Sequence, residues 1–339
     1  MKKKVFICTA LFIAFFYGFL VGYKKVFPFY QMWSIKSSFN GIAWDKQGNK
    51  FENKYFEHIK IKSALDKNIQ NAYIYKAKNK NRPLIISLHT WSNTYKQYDP
   101  LANFAKENDI NYIHPDFRGA NWTPDACCSE KAINDIDDSI QYMIDNAQIN
   151  KDNITVLGAS GGGYATLCIY FKTKHKIMQF LSWVPITELQ DWYVESKIRG
   201  KSFAEDIYKC TNSSQNVLNF EEVKKRSPVY FDLNSNTFPD SKLYIYAGIH
   251  DGFTGSVPIT HSINIYNEIL KKDDANRELM VQEENIKYML ANKSSSSLNY
   301  RKIEGRKIFY QREYKNVSLT IFDGSHEMLL EHTKKTILE

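Results

Sequence analysis

The sequence contains no C-x-x-C pair. Its five cysteines (Cys8, Cys127, Cys128, Cys168 and Cys210) therefore lack the spacing of a zinc site or a thioredoxin-type redox centre. There is also no basic stripe and no nucleic-acid-binding motif, so nucleic acid is excluded as a partner. The net charge of +8 does not alter this: Lys2, Lys3, Lys4, Lys24 and Lys25 supply five of those charges around one apolar segment, leaving +3 for the rest. No small-residue cleavage site of the A-x-A kind follows that segment, which ends Leu20-Val21-Gly22-Tyr23.

The apolar segment itself, Val5 to Tyr23, is 19 residues long and just sufficient to cross a bilayer as a helix. Residues 1–25 are thus expected to be an uncleaved signal anchor, with the rest of the chain outside the cytoplasm. A secreted chain released by signal cleavage is the alternative. Residues 26–52 read as a connecting segment and 53–339 as one domain. A hydrophobic content of 43% and a charged content of 24% are those of an ordinary globular protein. Cys168 reads as a small buried hydrophobe. Cys127 or Cys128 is a candidate partner for Cys210 in an oxidising compartment, with free thiols as the alternative.

Strand and helix patterns alternate along the domain. Tyr55–Ile61, Asn71–Tyr75, Pro83–His89, Ile110–His114, Ile154–Leu157, Phe180–Pro185, Leu243–Ala247 and Val317–Phe322 read as strands. Ala132–Ala147, Tyr164–Phe171, Ile263–Lys271, Asn276–Ala291 and Glu327–Leu338 read as helices, with Asp135, Asp137 and Asp138 on a solvated face and Ser294–Ser297 as a flexible loop. Residues 186–230 break the rhythm and read as a helical lid. This order implies an α/β fold: a mostly parallel sheet with helices on both faces and ligands beyond the carboxyl ends of the strands.

One strand end carries a specific signal. Gly158-Ala159-Ser160-Gly161-Gly162 fits G-x-S-x-G, a turn that presents a serine between a buried strand and a buried helix. A serine hydroxyl is a weak nucleophile at neutral pH and needs a base, which in turn needs an acid to orient it. His326 follows the last strand beside Gly324, whereas His261 sits near a helix start and His332 lies within the closing helix. Asp251 follows the strand Leu243–Ala247 in His250-Asp251-Gly252. The order serine, aspartate, histidine is that of the α/β-hydrolase fold. Oxyanion donors are expected from the backbone N–H of Gly161 and from Thr90 or Trp91, after the strand ending at His89.

Taken together, Asp116-Phe117-Arg118-Gly119, Gly158–Gly162, His250–Gly252 and Gly324–His326 resemble the catalytic domain of the prolyl oligopeptidase family of serine peptidases. The resemblance implies Ser160 as nucleophile, Asp251 as acid and His326 as base. It also implies a serine hydrolase acting on an ester or peptide bond, with no cofactor or metal. The β-propeller of large members is absent from this sequence, and Glu221-Glu222 lies in a charged run, with no assigned role at a peptide amino terminus. Acetylated-sugar esters are therefore an alternative substrate class to small molecules and short peptides. A non-catalytic glycan- or peptide-binding protein is the alternative from another class. Trp91, Trp183, Trp192 and Tyr193 are candidates to line the cleft, with core packing as the competing use.

Overall fold

The computed structural model describes residues 55–294 and 301–339. In chain order the elements are β1 (Glu57–Lys62), β2 (Ile69–Tyr75), β3 (Arg82–Leu88), α1 (Pro100–Glu107), β4 (Asn111–Pro115), α2 (Glu130–Asn146), β5 (Ile149–Ala159), α3 (Gly161–Lys172), β6 (Gln179–Trp183), α4 (Leu189–Ile198), α5 (Phe203–Cys210), α6 (Phe220–Arg226), β7 (Lys242–Gly248), α7 (Ile259–Lys272), α8 (Glu283–Asn292), β8 (Lys302–Ile303), β9 (Arg306–Tyr314), β10 (Val317–Phe322) and α9 (Leu330–Leu338). The expected membrane segment, the connecting segment and Ser295–Ser297 lie outside the described residues. Among the described residues no helix is long and apolar enough to cross a membrane.

The strands form one ten-stranded sheet in the order β1-β2-β4-β3-β5-β6-β7-β10-β9-β8. Strands β4, β3, β5, β6, β7 and β10 run parallel, with antiparallel strands at both edges. The fold is α/β, as the alternating patterns imply. Its cause is visible in the strand sequences. Successive residues of a strand point to opposite faces, and here both sets are apolar. Leu84, Ile86, Ile154, Val156, Phe180, Leu243, Ile245, Leu319 and Ile321 join the core with α2, α3 and α7. Ile85, Leu157, Leu181, Trp183, Tyr246 and Phe322 join a second core with α1 and α9. Strands apolar on both sides are stable only with helices over each face.

Several expectations are corrected. Asp135 and Asp137 of α2 are buried rather than solvated. Asp135 accepts from Arg118 Nε and Nη2 at 2.7 and 2.9 Å, and Asp137 accepts from Thr173 Oγ1 at 2.6 Å. Both carboxylates tie α2 to neighbouring loops, which offsets the cost of burying them. The single helix expected over 276–291 is a 3-10 turn, Arg277–Leu279, followed by α8. Asn276 caps the turn, and the Asn267 side chain holds the Val281 backbone through two hydrogen bonds. Strands β8 and β9 lie outside the strand patterns of the sequence.

The cysteine pairing also differs. Cys128 is bonded to Cys168 of α3, so Cys168 is not a lone hydrophobe and Cys128 does not pair with Cys210. Cys127 and Cys210 are free thiols, buried, with their sulfurs 2.6 Å apart. Cys127 and Cys128 both have left-handed backbones, φ 54° and 50°, and their side chains diverge, one toward α5 and the other toward α3.

Candidate active site

Ser160 closes β5 and opens α3 with φ 58° and ψ −119°, a conformation unfavourable for a residue with a side chain. Two backbone bonds hold it there: its N–H donates to Trp183 O at 2.9 Å, and its carbonyl accepts from Tyr164 N at 2.8 Å. The glycines around it are sterically required. A Cβ on Gly158 would overlap the Gly162 backbone, and one on Gly161 would overlap the Trp91 backbone nitrogen. The strand and helix therefore approach as closely as a backbone allows.

Asp251 and His326 follow the carboxyl ends of β7 and β10, parallel neighbours in register through Gly248 and Phe322. His326 Nδ1 lies 2.7 Å from Asp251 Oδ2. The other carboxylate oxygen of Asp251 accepts from the N–H groups of Gly252 and Val257, at 2.8 and 3.0 Å. Asp251 is 2% exposed. A buried carboxylate with both oxygens engaged is held in one orientation. Ionised, it accepts at Nδ1, which makes Nδ1 the protonated nitrogen of a neutral imidazole and leaves Nε2 as the basic one. His261 and His332 have partners of their own, Thr187 with Glu195 and Tyr246 with Thr336.

The loop after β3 distinguishes its two candidate donors. The Thr90 N–H is consumed by Gln97 Oε1 at 2.7 Å. The Trp91 N–H has no acceptor among the described residues, and its nitrogen abuts Gly161. Gly161 is the first residue of α3, where backbone N–H groups lack intrahelical partners. The Trp91 peptide is pinned around this free N–H. His89 Nδ1 lies 2.9 Å from Thr90 O, and Asn121 N donates to Trp91 O at 2.9 Å. The Trp91 indole donates to Asp206 Oδ2 of α5 at 3.1 Å. Burial pushes the His89 pKa down, and the Thr90 and Asp116 carbonyls beside its two ring nitrogens oppose that shift.

Trp91, Trp183 and Trp192 are buried. Trp91 packs edge-on to Trp192 at 4.7 Å, and Trp192 stacks on Phe203 at 4.9 Å. These aromatics join α4 and α5 to the loop after β3. Arg118 of the Asp116–Gly119 motif bridges the exposed Asp66 and the buried Asp135 rather than facing the site. Glu222 pairs with Arg226 at 2.9 Å. Gln97, Asn121 and Asp206 hold the loop after β3 and carry no sequence signal, since none sits in a motif.

Comparison with curated protein sequences finds no match. Among solved structures, Pyrococcus horikoshii acylaminoacyl peptidase is similar at a TM-score of 0.55 and 16% identity, covering 84% of this chain and 41% of its own. Prolyl oligopeptidase B from Galerina marginata matches at 0.51 and 15%, over 66% of this chain and 32% of its own. A puromycin-hydrolyzing peptidase of Mycobacterium tuberculosis matches at 0.51 and 14%, over 66% and 35%. The chain thus spans about two fifths of the length of the first of these, and the likeness establishes the fold. The sequence model of the prolyl oligopeptidase family matches residues 97–302, a stretch that includes Ser160 and Asp251 and stops before His326. With more than half of its length matched by that model, the chain belongs to the prolyl oligopeptidase family.

Proposed function

We propose that this protein is a serine hydrolase that cleaves an ester or peptide bond through an acyl-enzyme on Ser160. The observation that carries the reading is the 2.7 Å contact between His326 Nδ1 and the buried Asp251 carboxylate, at the carboxyl ends of the parallel strands, where Ser160 is also held in its strained turn. In this reading His326 Nε2 takes the proton of the Ser160 hydroxyl as Oγ attacks the carbonyl carbon. The negative charge that develops on the carbonyl oxygen is met by the N–H groups of Gly161 and Trp91. Thr90 has no part in this, because its N–H is already bonded to Gln97. His326 then protonates the departing amine or alcohol, and a water attacks the acyl-enzyme with the same base assistance. Asp251 fixes the tautomer and stabilises the transient imidazolium.

The family favours a peptide substrate. Acetylated sugars and other small esters are the competing class, and parallel assays of short peptides and activated esters decide between them. Residues 1–25 anchor the chain in a membrane with the domain outside the cytoplasm. The Cys128–Cys168 bond supports an oxidising location. Labelling by a fluorophosphonate probe tests the catalytic assignment. Wild type should be labelled and Ser160→Ala should not; equal labelling of both would remove Ser160 from the mechanism.

A further inference from the structure

Arg199 follows α4 as its C-terminal cap and is half-buried. Its guanidinium meets no carboxylate among the described residues. Nε donates to Glu195 O at 3.1 Å, within its own helix. The remaining bonds all go to one loop: Nη1 to Gly252 O at 3.1 Å and to Gly255 O at 3.0 Å, and Nη2 to Ser256 O at 2.7 Å. This is the loop that wraps Asp251. A Cβ on its Gly255 would overlap Asp251 Oδ1 and press on His326 Cβ.

The Ser256–Val257 peptide is the informative unit. Its carbonyl accepts from Arg199 Nη2, and also from Trp192 Nε1 at 3.0 Å. Its N–H donates to Asp251 Oδ1 at 3.0 Å. One amide thus stands between a cation and an anion with its dipole aligned to both. A donor at the carbonyl end strengthens the N–H as a donor at the other end, and low local dielectric enlarges the effect. Of the three carbonyls held on the fork, that of Ser256 shares its peptide with an N–H that donates to Asp251, so the fork fixes the direction of that N–H. From these contacts the geometry points to Arg199 as a positioning residue for the hydrolytic reaction, acting through the Ser256–Val257 peptide on Asp251 and thence on His326. The lid is then part of the catalytic apparatus as well as a cover. This inference rests on the serine-hydrolase reading above.

Arg199→Met and Arg199→Lys in the full chain test it, with wild type and Ser160→Ala as controls. Lysine keeps the charge but not the fork. Hydrolysis of an activated ester should show kcat reduced about 10- to 100-fold in R199M and less in R199K, with KM within about twofold of wild type. The far-downfield proton resonance of the His326–Asp251 hydrogen bond should move upfield or broaden in R199M at a temperature where the variant is folded. A folded R199M with wild-type kcat and an unmoved resonance overturns the inference. If R199M does not fold, R199K decides: wild-type kcat and resonance there overturn it equally. Equal losses in kcat and in bound substrate, with the resonance unmoved, would assign Arg199 to substrate binding and also overturn it. Absence of hydrolysis and of probe labelling in wild type would instead reject the underlying reading.

Discussion

At the scale of single residues, the site depends on atoms that are missing as much as on atoms that are present. Gly161 has no Cβ, and a Cβ there would overlap the Trp91 backbone nitrogen. Gly161→Ala should therefore displace the Trp91 N–H and cost about 100-fold or more in kcat, the range found when one oxyanion donor is lost. The check is kcat on an activated ester alongside a thermal melt, and wild-type turnover would show that Trp91 is not a donor. The turn at Ser160 and the contact between Asp251 and His326 were legible in the sequence because each of these residues sits in a short motif at the end of an apolar strand. The difference between the Thr90 and Trp91 N–H groups was not legible. It turns on Gln97, whose side chain returns to the Thr90 N–H from the next turn of chain. Arg199 was illegible for the same reason, since its partners are carbonyls that carry no sequence signature.

At the scale of elements, β3 and β4 bring two imidazoles together in the core. His89 and His114 lie edge to face with ring centroids 6.4 Å apart. Burial, reinforced by His89, pushes the His114 pKa down from 6.5 to about 3. The unfolded chain therefore binds a proton between those values that the folded chain refuses. The stability that depends on a neutral His114 is fully present above pH 6.5 and is lost progressively as pH falls toward 3. His114→Asn keeps a donor toward Ser87 O, to which His114 Nδ1 lies at 2.7 Å. Urea denaturation at stepped pH should show a shallower loss in the variant across this window; parallel curves would mean that His114 titrates normally. The central parallel strands were readable because both faces are apolar. Strand β9 was not, because most of its residues are half-buried and it mixes lysine, arginine, glutamine and tyrosine. The burial of Asp135 and Asp137 was hidden too: an acidic run on an amphipathic helix looks solvated until its partners Arg118 and Thr173 are located.

At the scale of the whole molecule, the Cys128–Cys168 bond closes a loop across a sequence separation of 40 residues. Loop-closure entropy for that length corresponds to about 2–4 kcal/mol of stability. The double variant Cys128→Ala, Cys168→Ala should show that loss in urea denaturation under non-reducing conditions, and unchanged stability would mean the bond contributes nothing. The left-handed pair at Cys127 and Cys128 has a consequence for how one short stretch of chain serves two partners. The side chains diverge, so Cys128 reaches across to α3 in the bond with Cys168, while its neighbour Cys127 lies against the Cys210 thiol of α5.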